Sequence, residues 1–300
     1  MTEMFRANAN AIGDPYGDAA FVYRRNPVVN AMKTVLGSSR AALPEPVYES
    51  LYAFSFGFYK ALLRGMYFRH VARHWLARDG AALSRARAVH QVMPYSLVGS
   101  AGLEATFDAA SSLVERGVPG DFIECGVAQG GCAALMAGVA AASPTPRNTW
   151  LFDSLEGLPD PTEADYDEQR KSTGKHIRPL VRGSCCGTKN QVEALLFSRF
   201  GFARDSIFLM QGWFQDTLPL CKEQIGQIAL LRVDGDWYES TMCCLDNLYD
   251  QVAPGGSIII DDYGVCFGCK RAVHGFFAKR DIRPHLIPDN RGGVRFSKGS

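Results

Sequence analysis

Two apolar runs in this chain end in acids, and that pattern constrains the fold more than any other feature. Leu230-Leu231-Arg232-Val233 runs into Asp234-Gly235-Asp236, and Ile258-Ile259-Ile260 runs into Asp261-Asp262. Short runs this apolar read as strands buried on both faces, as in a parallel sheet covered by helices. In such a sheet the carboxyl ends of neighbouring strands share one edge, where ligands bind. Three or four carboxylates then converge on one place.

The surrounding sequence repeats the alternation. Strands are expected at 121–125, 149–152, 206–210, 228–233 and 257–260, the last after Pro254-Gly255-Gly256. Helices are expected at 131–142, 189–200, 238–251 and 269–280, with a final hairpin within 285–297. This is an α/β, doubly wound sheet. Ahead of it, 45–90 reads as helical, with Val47, Leu51, Phe54, Phe58, Leu62 and Leu63 at helical spacing, and 103–116 reads as a further helix. The chain therefore divides into an N-terminal helical extension or lid at 1–100 and a main domain at 101–300. Asp14-Pro15-Tyr16-Gly17 reads as a turn in a polar leader. The polar stretch 157–188 is too long for an ordinary connection and is expected to be a functional loop or lid.

Composition excludes several classes. A net charge of +1 supplies no basic surface for nucleic acid. No stretch approaches the roughly 18 apolar residues that a membrane span needs, and no basic-then-apolar leader is seen, so a cytoplasmic protein without a membrane partner is expected. Nine scattered cysteines suit reduced thiols better than a disulfide framework.

Glu124-Cys125-Gly126-Val127-Ala128-Gln129-Gly130-Gly131 follows the first expected strand and opens a helix. Its glycines allow a sharp turn and close approach to a ligand. The spacing is neither G-x-G-x-x-G nor a Gly-Lys-Ser/Thr phosphate loop. It suits a cofactor without a pyrophosphate, and Glu124 can receive the ammonium of the methionine part of S-adenosylmethionine (SAM). Asp153, just after the second strand, sits where an acid accepts hydrogen bonds from ribose hydroxyls.

Converging carboxylates raise one another's pKa unless a cation neutralises them. A hard divalent ion with oxygen ligands, Mg²⁺ first, is the simple remedy. Asp234, Asp261 and Asp262 are assigned to the metal, and Asp236 to the general base for a substrate hydroxyl. Without a metal, the same acids would cap the following helices or lie solvated in loops.

The stretches DFIECGVAQGG (121–131), LFDSLEGLPDPT (151–162), GWFQDTLP (212–219), LLRVDGDWYEST (230–241) and PGGSIIIDDYG (254–264) resemble the macrocin O-methyltransferase family. These are metal-dependent enzymes that methylate sugar hydroxyls on antibiotics such as tylosin, mycinamicin and novobiocin. The resemblance covers most of 119–280. It implies a class I SAM-dependent methyltransferase fold, Mg²⁺ on Asp234, Asp261 and Asp262, and Asp236 as the base. Glu124, Gly126, Gly130 and Asp153 fall on SAM-binding positions, and Trp213 and Phe214 on the adenine end. It also implies a homo-oligomer, a dimer or larger, and a small-molecule hydroxyl acceptor, a sugar or polyol. A catechol or phenol acceptor, and a non-catalytic scaffold keeping the fold, are the competing functions.

Other residues read more plainly. Cys266-Phe267-Gly268-Cys269 lacks the second cysteine pair of a structural zinc site. His176 is a candidate substrate contact, and His274 a packed or surface residue. Trp237 and Tyr238 suit either a sugar face or burial beside a helix start. The Arg-rich run 64–87 suits a solvated helix face.

Overall fold

The computed structural model describes residues 45–166 and 182–299. The turn expected at Asp14–Gly17, His176 and the middle of the 157–188 loop lie outside them. Strands β1 (Asp121–Cys125), β2 (Thr149–Asp153), β3 (Ile207–Gln211), β4 (Ile228–Val233) and β5 (Val252–Ile260) pair in parallel. The tail adds β6 (Ile287–Pro288) and β7 (Val294–Ser297), antiparallel, to give the order β3-β2-β1-β4-β5-β7-β6. From β1 the chain winds outward to β2 and β3, then returns to lay β4 on the other side of β1. That reversal opens a crevice at the carboxyl ends of β1 and β4, where α/β sheets bind ligands.

Every residue of β4 is buried, as its apolar run requires, and Arg232 is buried with them. Side chains alternate across the sheet with period two. Ile123 and Leu231 join one core, and Phe122 and Leu230 join another on the opposite face. The Pro254-Gly255-Gly256 segment lies inside β5 rather than before it. The register steps from Ile228↔Val252 to Leu230↔Ser257, so these residues form an irregularity that the ladder absorbs.

The helices are α1 (Glu45–Leu76), α2 (Gly80–Val92), α3 (Ser100–Glu115), α4 (Gly131–Ala141), α5 (Lys189–Glu193), α6 (Phe214–Ile225), α7 (Tyr238–Leu248) and α8 (Phe267–Arg280). The expected 45–90 helix is two helices. Between them Asp79 caps α2 by accepting from the Ala82 N–H at 3.1 Å. Helix α5 continues into a π-helical stretch over 194–199. Helix α6 was not expected, because Pro219 lies inside it and mixes its periodic signal. Tyr67 and Val71 of α1 and Val89 of α2 share a core with Cys132 of α4 and Leu151 of β2. The N-terminal helices thus pack onto the sheet domain. Among the described residues, no helix is long and apolar enough to cross a membrane.

Candidate active site

The glycine-rich turn is built around a close approach. Gly126 adopts φ +96°, and a Cβ there would lie 1.8 Å from the carbonyl oxygen of Asp234. Only glycine lets the end of β1 pass the end of β4 at this distance. Ala128 adopts φ +46° without being glycine, a costly conformation that its surroundings must hold. Asp153 holds it. Its Oδ2 accepts from the N–H groups of Val127 (2.6 Å) and Ala128 (2.8 Å), and its Oδ1 from Leu155 N–H (2.6 Å). The acid expected to meet a ribose is therefore also the brace of the turn. Gly130, at φ +88°, starts α4 and faces Leu195 and Val192.

Arg232 organises the acids. Its side chain is fully buried. Nη1 donates to Glu124 Oε1 (3.1 Å) and Asp234 Oδ2 (2.8 Å), and Nη2 to Asp261 Oδ1 (2.6 Å). Arg291 donates to the other Asp261 oxygen. A turn places Arg291 there, with Asp289 Oδ1 accepting from the N–H groups of Arg291 (2.7 Å), Gly292 (3.0 Å) and Gly293 (2.9 Å). Part of the neutralisation that the sequence reading assigned to a metal is thus supplied by two arginines. Motif spacing did not single out either one. Arg232 was legible only as a charge inside an otherwise apolar strand.

The arginines do not satisfy the whole set. Glu124 Oε2 and Asp262 Oδ2 are buried and have no hydrogen-bond partner among the described residues. Burial pushes Glu124 up to about 8, with Arg232 opposing. Burial likewise drives Asp236 up to about 7, with Asp234 and Asp261 adding to it. Asp262 is held well above the carboxylate range by burial and by Asp236, Asp234 and Asp261. Burial and Asp261 raise Asp234 against the pull of Arg232. For Asp261 burial works upward, but Arg291 and Arg232 together outweigh it and leave the carboxyl below its ordinary value.

One ligand atom from each of Asp234, Asp261 and Asp262 lies within 4.8 Å of the others. An all-oxygen set with a buried oxygen lacking a partner fits a hard divalent cation. Asp236 is not a member of that trio but adjoins it, with a ligand atom within 4.8 Å of one on Asp262, and its backbone sits at φ +54° after Gly235. Cys266 Sγ donates to its Oδ1 at 3.7 Å.

A cavity of about 400 Å³ opens over this edge. Asp153, Trp213, Phe214, Asp234, Asp236 and Trp237 are among its walls, whereas Glu124, Gly130, Asp261 and Asp262 are not. The loop after β2 closes one side. Trp237 Nε1 donates to Pro159 O (3.0 Å), and Asp165 Oδ1 accepts from Tyr238 N–H (2.7 Å) while its Oδ2 accepts from Thr162 N–H (2.8 Å). The indole N–H of Trp237 thus pins the loop. Cys185 also lines the cavity, and burial pushes its thiol up to about 12. All nine cysteines are free thiols. His274 is hydrogen-bonded to the Tyr263 hydroxyl at 2.6 Å, in keeping with a packed role. In the Arg-rich helices, Arg85 is paired with Asp108 rather than solvated alone.

A sheet of this order, with its ligand crevice at the β1/β4 reversal and a glycine turn after β1, defines the class I SAM-dependent methyltransferase fold. Residues 59–298 match the family model described as Macrocin-O-methyltransferase (TylF), and the chain belongs to that family. It is an O-methyltransferase. The match begins within α1, so the family reaches further toward the N-terminus than the quoted motifs do. The demethyldecarbamoylnovobiocin O-methyltransferase of Streptomyces niveus is 36% identical over 205 residues, 68% of this chain and 76% of that protein. A Streptomyces olivaceus protein, the 8-demethyl-8-(2,3-dimethoxy-alpha-L-rhamnosyl)-tetracenomycin-C 4'-O-methyltransferase, is 34% identical over 239 residues, 78% of this chain and 88% of that one. Among solved structures, the O-methyltransferase NovP superposes with a TM-score of 0.60 at 35% identity, covering 69% of this chain and 83% of that one.

Proposed function

We propose that this O-methyltransferase uses SAM and Mg²⁺ to methylate a hydroxyl of a small natural product, a sugar or polyol of antibiotic biosynthesis. The carrying observation is Asp262 Oδ2, buried and without a partner among the described residues, grouped with Asp234 and Asp261, while Asp234 and Asp236 line the cavity. The names of the relatives favour the acceptor class, since the Streptomyces olivaceus protein acts on a rhamnosyl group.

Asp234, Asp261 and Asp262 would hold the Mg²⁺. A bound divalent ion supplies a Lewis acid that lowers the pKa of a hydroxyl. SAM, when bound, would supply the methyl group and leave as S-adenosylhomocysteine, and Asp236 would take the proton of the acceptor hydroxyl. Its carboxylate lines the cavity beside the proposed metal set, where it can take a proton. Glu124, whose Oε2 has no partner among the described residues, would receive the ammonium of the methionine part, and Trp213 and Phe214 would hold the adenine end. The loop pinned by Trp237 keeps water from the reacting oxygen.

Calorimetric titration with S-adenosylhomocysteine, with and without Mg²⁺, tests the cofactor half, and absence of binding sinks it. Turnover is then compared between glycosylated scaffolds and catechols before and after EDTA. EDTA should abolish it and Mg²⁺ restore it. Turnover indifferent to EDTA ends the metal half, and a preference for catechols ends the acceptor half.

A further inference from the structure

Asp262 belongs to two groups of metal-ligand atoms. The second joins it to Asp236 and Cys266, again with one ligand atom from each within 4.8 Å of the others. Cys266 N–H donates to the Asp262 carbonyl at 2.9 Å, a contact that fixes the sulfur one turn beyond Asp262 at the start of α8. Cys266 Sγ already reaches Asp236 Oδ1 at 3.7 Å. The member common to both groups carries the buried oxygen without a partner.

The two groups differ in chemistry. Three carboxylates make a hard, all-oxygen set suited to Mg²⁺. Two carboxylates with a sulfur make a mixed set, which Mg²⁺ does not favour and which zinc, cobalt or cadmium does. Zinc and cobalt accept four ligands, so water or the acceptor would complete such a site.

We propose that Asp236, Asp262 and Cys266 form a second metal site, selective for thiophilic divalent cations, that overlaps the magnesium site through Asp262. On binding, the metal–sulfur bond forms, the S–H bond breaks, and the proton leaves to solvent. The hydrogen bond from Cys266 to Asp236 is lost, and Asp236 becomes a ligand. Occupancy therefore withdraws the carboxylate read above as the base and competes with Mg²⁺ for Asp262, so trace zinc acts as an inhibitor. The inhibition rests on that reading of Asp236, whereas the binding does not.

Cobalt(II) added to the metal-stripped full chain gives the probe, read by its sulfur-to-cobalt charge-transfer absorption. The wild-type protein should show the band, and excess Mg²⁺ should weaken cobalt binding. C266S should lose the band while keeping its circular dichroism. C185S and C243S, which remove the two thiols that line the cavity, should retain it. D262N should bind cobalt at least about tenfold more weakly, since even outer-shell changes cost that much. No band in the wild type, a band surviving in C266S, or cobalt affinity indifferent to Mg²⁺ overturns the proposal. Zinc is then tested on methyl transfer at the lowest Mg²⁺ that supports turnover, at zinc concentrations that displace the cobalt band. A Cys266-dependent band without inhibition upholds the binding of thiophilic cations and overturns the roles given to Asp236 as base and to Asp262 in the magnesium site.

Discussion

Arg232 Nη1 lies 3.1 Å from Glu124 Oε1 and 2.8 Å from Asp234 Oδ2, so one guanidinium nitrogen ties the end of β1 to the end of β4. Glu124 precedes the glycine turn proposed to hold SAM, and Asp234 belongs to the metal set proposed above. Both halves of the site therefore lean on one buried cation.

Replacing Arg232 by Met should take a partner from buried Glu124, from half-buried Asp234 and from buried Asp261, which keeps Arg291. Removing one partner of a buried pair costs about 3–5 kcal/mol, and the loss here should reach that range. Urea unfolding would show it, and calorimetry would show S-adenosylhomocysteine and Mg²⁺ affinities falling together. If only one of them falls, Arg232 does not join the two halves.

Asp236 and Asp261 should separate on mutation. Asp236→Asn keeps an isosteric side chain but removes the proton acceptor. Turnover should fall about 10²–10⁴-fold with Mg²⁺ binding spared. Asp261→Asn removes a proposed ligand and weakens the contacts of Arg232 and Arg291, so metal affinity, turnover and stability should all decline. Near-normal turnover in the Asp236 variant ends its assignment as the base.

Two glycines make a matched test of the turn. A Cβ at Gly126 would meet the Asp234 carbonyl at 1.8 Å, whereas one at Gly138 would meet only Phe202, at 3.7 Å. Gly126→Ala should disrupt the β1/β4 crevice and lower the melting temperature sharply. Gly138→Ala, in the interior of α4, should be neutral or stabilising by up to about 1 kcal/mol. Equal melting temperatures for the two variants would contradict the close approach.

Trp237→Phe keeps the ring but removes the N–H that Pro159 O accepts. Losing this part-buried hydrogen bond costs about 0.5–1.5 kcal/mol, and most of that should appear as faster hydrogen exchange over 158–165 rather than as global unfolding. Unchanged exchange in that loop would mean that Trp237 does not hold it.

Much of the sheet was legible because strands buried on both faces write themselves as uninterrupted apolar runs. Helix α6 was not, since Pro219 hides its period. The extent of β5 was also misread. Pro254-Gly255-Gly256 is a turn signal locally, yet the ladder to β4 accommodates it as an irregularity. The strand-end acids were readable, and the structure brings ligand atoms of Asp234, Asp261 and Asp262 within 4.8 Å of one another. The dual use of Asp153 was not readable, because backbone amides leave no mark in a motif.

The sequence by itself determined which strands end in acids, where the glycine turn lies, and to which family the chain belongs. Tertiary structure decided how those acids are charged. Arg232 comes from the interior of β4, and Arg291 from a turn close to the carboxyl terminus. Both reach Asp261 only once β4, β5 and β7 are side by side. Periodicity and motif spacing report what a segment does alone. The neutralisation of a buried carboxylate depends on charges brought from distant segments into a low-dielectric interior, where separations of a few ångströms set the outcome.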